Sequence, residues 1–149
     1  MSTQMSFLPK IDRKETQRRV EETLETARIY NQIGFVRREM SNTPSYEPRF
    51  HGLTNKTGAP AEECATWNVD TEERLRILTE RVERAVSRLS KKQRAIITKR
   101  YLEDETATDY GIWPELGLSE RQYYREKSTA FYKLAFMLRL EVYKKEETA

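Results

Sequence analysis

Between Ser119 and Ser128 the chain reads SERQYYREKS. At 100° per residue, Arg121, Arg125 and Ser128 fall on one side of a helix, opposite Tyr123 and Ala130, with Gln122 and Tyr124 at the edges. These side chains suit hydrogen bonding to a nucleic acid. An arginine fork pairs with guanine, a glutamine with adenine, and serine or tyrosine hydroxyls with base or backbone. Ser119 at the helix start adds the free amides of the first turn, which can seat a phosphate. Lys91, Lys92, Lys99 and Arg100 are candidates for flanking phosphate contacts.

Other chemistry finds little material. The single histidine, His51, sits in a Gly- and Asn-containing stretch and leaves no zinc set. The single cysteine, Cys64, excludes an internal disulfide. No phosphate-cradling glycine loop is present. The expectation is a non-enzyme without cofactor or metal. The net charge of +3 is a weak argument for a nucleic-acid partner, so its distribution matters more. Residues 119–145 carry seven basic and three acidic side chains, whereas residues 41–90 carry seven and eight. The positive excess lies on the segment that bears the candidate contacts.

A recognition surface needs a scaffold that aims it. Ile112 and Leu116, four apart, share a helix face. Gly117 follows where a left-handed backbone costs glycine little. Leu118 fills the corner, Ser119 caps the next helix, and Tyr123, Ala130, Phe131 and Leu134 return that helix to the core, with the Lys127 stem alongside. The pattern predicts a helix-turn-helix. A plain helical hairpin with a solvated arginine face is the alternative. Trp113 predicts a widened helix crossing that it partly fills, and Pro114 requires the first helix to be short or kinked.

The composition, rich in Glu, Lys, Arg and Leu with five Gly and five Pro, points to an all-α fold. Three parts are expected. Residues 1–40 form an N-terminal helical segment with Val20, Leu24, Ala27 and Tyr30 as its stripe, Asp12 and Glu15 as a capping box, and Gly34 near its end. Residues 41–68, with Pro44, Pro48, Pro60, Gly52 and Gly58, read as a linker or irregular loop. Residues 69–149 hold the helix-turn-helix domain. There Leu75, Leu78, Val82, Ala85 and Leu89 make a seam from Thr71 onward, packed in a bundle or, alternatively, against a second subunit. Ser90 caps a helix carrying Ile96, Ile97 and Tyr101; Thr108 caps the next, with Asp109 at its positive end. A long last helix is predicted from Ser119 to near Lys145. Its apolar girth (Phe136, Met137, Leu140 and Tyr143 besides Leu138 and Val142) favours a homodimer over packing within one chain.

The order AVSRLSKKQRAIITKRYLED, an acidic spacer, then IWPELGLSERQYY resembles the C-terminal promoter-reading domain of bacterial sigma factors. FLPKIDRKETQRRVEETLE together with LGLSERQYYREKSTAFYKLA resembles the ArpU family of phage-encoded late transcriptional regulators. The likeness covers both ends of the chain and is thin across residues 41–68; LGLSERQYYREK is its most specific part. It implies a regulator that binds double-stranded DNA and switches on late phage genes for packaging and lysis, with host RNA polymerase as a further partner. Its recognition helix would be Ser119 to Ala135, with Arg121, Gln122, Tyr124 and Arg125 nearest the bases. Pro114 and the acidic Glu126 depart from the expected pattern. Two other functions remain open at this point: a phage terminase small subunit, and a helical adaptor that binds protein only. No apolar run approaches the roughly 18 residues of a membrane span, and MSTQMSFLPKIDRK lacks a signal-peptide core. The expected location is the bacterial cytoplasm, at the nucleoid, with no membrane partner.

Overall fold

The computed structural model describes residues 10–39 and 59–145. About three quarters of these residues are helical and they form no named strand, which makes the fold all-α. His51, Pro44, Pro48, Gly52 and Gly58 lie outside the described residues.

Helix α1 spans Arg13–Ile33. Asp12 caps it by accepting from the Glu15 amide at 3.2 Å, while Glu15 pairs with Arg18 rather than closing the capping box. Gly34, at φ 70, ends it. The inward stripe is Thr16, Val20, Leu24 and Ala27, with Tyr30 only half-buried.

Helix α2 runs Ala59–Ser87, so it begins twelve residues before the Thr71 start predicted from the seam. The irregular stretch expected over 41–68 therefore includes ten residues of helix. Pro60, a loop signal by residue type, sits in the first turn of α2. In the first turn its missing N–H has no helical partner to lose, and its fixed φ suits the helix. The early part of α2 is held by the chain that follows α1. Asn68 accepts from the Arg38 amide at 2.7 Å and donates to its carbonyl at 3.1 Å, and Trp67 packs against Phe35.

Helix α3, Lys91–Ile97, is capped reciprocally by Ser90 and Gln93 and continues as a π-helical stretch, Thr98–Glu103. Helix α4 is the short Asp109–Glu115, and α5 is Glu120–Met137. Two apolar clusters result. The larger joins Val20 and Leu24 of α1, Val82, Ala85 and Val86 of α2, Leu89, Ile97, Tyr101, and Phe131 and Leu134 of α5. Val82, Ala85 and Leu89 of the predicted seam thus close a bundle within the chain. Helix α1 packs into this core through Val20, Leu24 and Ala27. The smaller cluster is Ile96, Ile112 and Tyr123, edged by Trp113, Leu116 and Leu118. Adjacent isoleucines of α3 therefore anchor the two clusters separately.

The last helix stops well short of Lys145. Arg139 takes φ 57, its amide bonds to the Phe136 carbonyl at 3.4 Å, and the Leu140 amide bonds to the Ala135 carbonyl at 2.8 Å. This pair of bonds is a Schellman ending with arginine where glycine is usual. The chain then pairs with the stretch that leads into α1: the Asp12 amide bonds to the Val142 carbonyl at 2.7 Å, and the Lys144 amide to the Lys10 carbonyl at 2.8 Å. Leu138 joins the core, and Leu140 packs against it, outside any helix. The all-round apolar helix that favoured a homodimer does not exist. Since a left-handed residue other than glycine costs about 1–2 kcal/mol, Arg139→Gly is expected to stabilise the fold by roughly 0.5–1 kcal/mol after glycine's own entropic penalty. The rise in urea midpoint at constant slope measures it.

Candidate nucleic-acid interface

The corner between α4 and α5 follows from four residues. Leu116 ends α4, and Gly117 takes φ 69 with no neighbour that a Cβ would meet, so only the backbone angle demands glycine there. The Gly117 amide bonds to the Pro114 carbonyl at 3.1 Å and the Leu118 amide to the Trp113 carbonyl at 2.8 Å, a second Schellman ending. Ser119 then caps α5 by accepting from the Gln122 amide at 3.2 Å. Pro114 is tolerated because α4 has only seven residues and the proline is next to last.

Trp113 fills the crossing as expected from its size, but in company. Its ring lies 5.0 Å from Tyr110 and 5.9 Å from both Tyr123 and Tyr124, while Tyr123 and Tyr124 are 5.3 Å apart. Tyr123 is fully buried and Tyr124 is 39% exposed. Tyr124 therefore divides its ring between this packing and the outer surface.

Asp109 was expected to act on the helix dipole, and Thr108 to cap. Thr108 occupies the cap position without a side-chain bond. Asp109 lies in the first turn of α4, as its place beside the dipole requires, and it also joins three elements. It accepts from the Tyr123 hydroxyl, from Lys127 Nζ at 3.1 Å and from Arg100 Nε at 3.2 Å. Burial works against ionising Asp109, yet the Tyr123 hydroxyl, Lys127 and Arg100 together hold its carboxyl below the ordinary value. Burial, then the bond to Asp109, pushes the Tyr123 hydroxyl well above the usual tyrosine range, so it stays a donor. Lys127 is only 8% exposed, and its ammonium is satisfied here. The sequence carried one signal for this hub. Tyr123 and Lys127, four apart, bring two polar ends to one buried face, which calls for an acid.

A second polar bridge ties α3 to α5. Gln93, buried, donates to Glu126 at 3.1 Å and accepts from Lys133 Nζ at 3.0 Å. This explains the departure at Glu126: the position faces a glutamine amide rather than an apolar surface. Nothing in the helical pattern alone marked Gln93 or Lys133.

The candidate contacts separate into two groups. Arg121, Arg125, Ser128, Lys91 and Lys92 are exposed, Ser119 is exposed with its hydroxyl engaged as the cap, and Gln122 is half-buried. Among the described residues, the ion pairs include neither Arg121 nor Arg125, nor Lys91 or Lys92. Lys99 and Arg100 are tied within the chain. Lys99 bonds Glu115 at 2.6 Å, and that bond raises its pKa. Arg100 is held by Asp109 and lies 4.7 Å over the Tyr101 ring. The reason is local: the π-helical stretch runs beside α4, where Asp109 and Glu115 meet these two cations. Arg100 thus supports the corner instead of reaching outward. The Lys99 pair is at the surface, where water and salt screen it.

Among the described residues no helix is long and apolar enough to cross a membrane, and no group of three His, Cys, Asp or Glu side chains is placed to hold a metal. A protein of Listeria innocua serovar 6a described as an uncharacterized phage-related protein is 28% identical to this chain over 144 residues, covering 92% of this chain and 96% of its own length. No family model and no solved structure matches the chain. The sequence is thus similar, at a distance and along nearly its whole length, to a phage-related protein.

Proposed function

We propose that the α4–α5 corner is a helix-turn-helix of the sigma-like kind and that α5 enters the major groove of double-stranded DNA. The protein then acts as a non-enzymatic, sequence-specific regulator, an activator of phage or prophage late genes. The observation that carries this reading is the division of α5. Tyr123, Lys127, Ala130 and Phe131 are buried, while Arg121 and Arg125 stand exposed outside the ion pairs of the described residues. The first turn of such a helix reads base edges, and arginines there pair with guanine. Ser119 and the amides of that turn meet a phosphate, with Lys91 and Lys92 neutralising others. The phage-related relative is in keeping with a viral role, and the ArpU resemblance in LGLSERQYYREK supports the late-gene assignment and a contact with host RNA polymerase.

Nuclease footprinting on DNA upstream of the neighbouring packaging genes tests it. The expected result is a protected site containing guanines in the major groove. Uniform, sequence-independent protection would refute a regulator that reads sequence.

A further inference from the structure

The outer face of α2 carries an unusual charge order. From Ala59 to Glu73 there are five acidic and no basic residues; from Arg74 to Arg88 there are five basic and two acidic. At 100° per residue, Glu63, Thr66, Asp70, Ile77, Arg81, Arg84 and Arg88 lie within one stripe. The stripe points away from the buried Thr79, Val82 and Val86. Near its middle Ile77 is 43% exposed. Among the described residues the ion pairs use none of Glu62, Glu63, Asp70, Arg81, Arg84 and Arg88.

Each half of the stripe also borders a depression. Arg81, Arg84 and Arg88 with Arg139 rim a groove of about 350 Å³ floored by Ala85, Met137 and Leu138. Glu62, Glu63 and Asp70 rim one of about 490 Å³ beside Trp67. Four exposed arginines around an apolar floor suit an acidic partner with some apolar surface. The acidic half of α2 has that composition.

We infer that the α2 stripe is the dimer interface of this protein, in which two copies pair their α2 helices antiparallel. The register follows from the charges. Glu63 with Arg88 and Asp70 with Arg81 share one midpoint, between Leu75 and Arg76, so both pairs form twice about a single two-fold axis. Arg74 and Ile77 flank that axis, placing the exposed isoleucine at its centre. A self-complementary patch of this kind is what a closed two-fold dimer needs. The stripe covers about seven helical turns. Complementary charge fixes the register and excludes the parallel arrangement, which would set like charges opposite. The inference rests on α2 and not on the DNA-binding reading.

Sedimentation velocity of the full chain tests it, with circular dichroism confirming that each variant keeps its helices. The wild-type chain is expected to be a dimer at low salt that dissociates as salt rises. Arg81→Glu with Arg88→Glu, and separately Glu63→Arg with Asp70→Arg, should each weaken the dimer at least about tenfold. An equimolar mixture of the two double variants should restore it, because antiparallel pairing matches every reversed charge. A monomeric wild type, or reversed variants that dimerise undiminished, or a mixture that stays monomeric, would each overturn the inference. A monomeric wild type whose Arg81→Glu/Arg88→Glu variant loses DNA affinity would assign these arginines to phosphate contacts instead.

Discussion

Asp109→Ala is expected to lower folding stability by about 3 kcal/mol, more than any other single polar substitution among the described residues. The size comes from what the substitution leaves behind. Lys127 is 8% exposed, and its ammonium would lose the carboxylate it bonds at 3.1 and 3.2 Å. The buried Tyr123 hydroxyl would lose its acceptor, and Arg100 its link to α4. A buried charge without a partner is worse than no charge. Lys127→Met should therefore cost far less, because Asp109 keeps Tyr123 and Arg100 while the methionine fills the same channel. Urea unfolding of both variants measures the difference; equal losses would mean that the hub is not what stabilises the corner. The same hub sets an acid dependence. The Asp109 carboxyl titrates below its ordinary value of 3.8 in the folded chain. Its contribution is accordingly complete above that value and lost as pH falls through the lowered one. In Asp109→Ala this part of the acid destabilisation should be missing.

The inward half of this architecture was readable from residue spacing. Val20, Leu24 and Ala27, then Val82, Ala85 and Leu89, announce two packed stripes, and Gly117 with Ser119 announces the corner. These signals are strong because burial and a positive φ allow few residue types. The ends of elements were harder. Pro60 reads as a loop residue until its place in a first turn is known, and Arg139 hides a helix ending that a glycine would have disclosed. The consequence at the C-terminus was large: Leu140, Val142 and Tyr143 looked like parts of a helix apolar nearly all round, yet they belong to an extended return that pairs with the residues just before α1. Side-chain networks were the least visible. The Asp109 hub spans α4, α5 and the π-helical stretch, so its partners are 9, 14 and 18 residues away in sequence. Arg100 illustrates the cost of reading charges one at a time. It looked like a phosphate contact, and its actual partner lies on a neighbouring helix.

The outward half rests on two guanidinium groups. Each arginine contact to a base edge is worth about 1–3 kcal/mol, and contacts four residues apart on a helix add only approximately. Replacing both is therefore expected to weaken specific binding at least about thirtyfold. Neither side chain is buried or ion-paired among the described residues, so the fold should be unaffected.

Fluorescence anisotropy of the full chain on the footprinted DNA, with and without Arg121→Ala and Arg125→Ala together, is the most direct measurement of this account. It predicts steeply salt-dependent binding by the parent chain and at least a thirtyfold loss in the double variant, concentrated on the specific site. Equal affinity of the two proteins for that site, at every salt concentration, would contradict it.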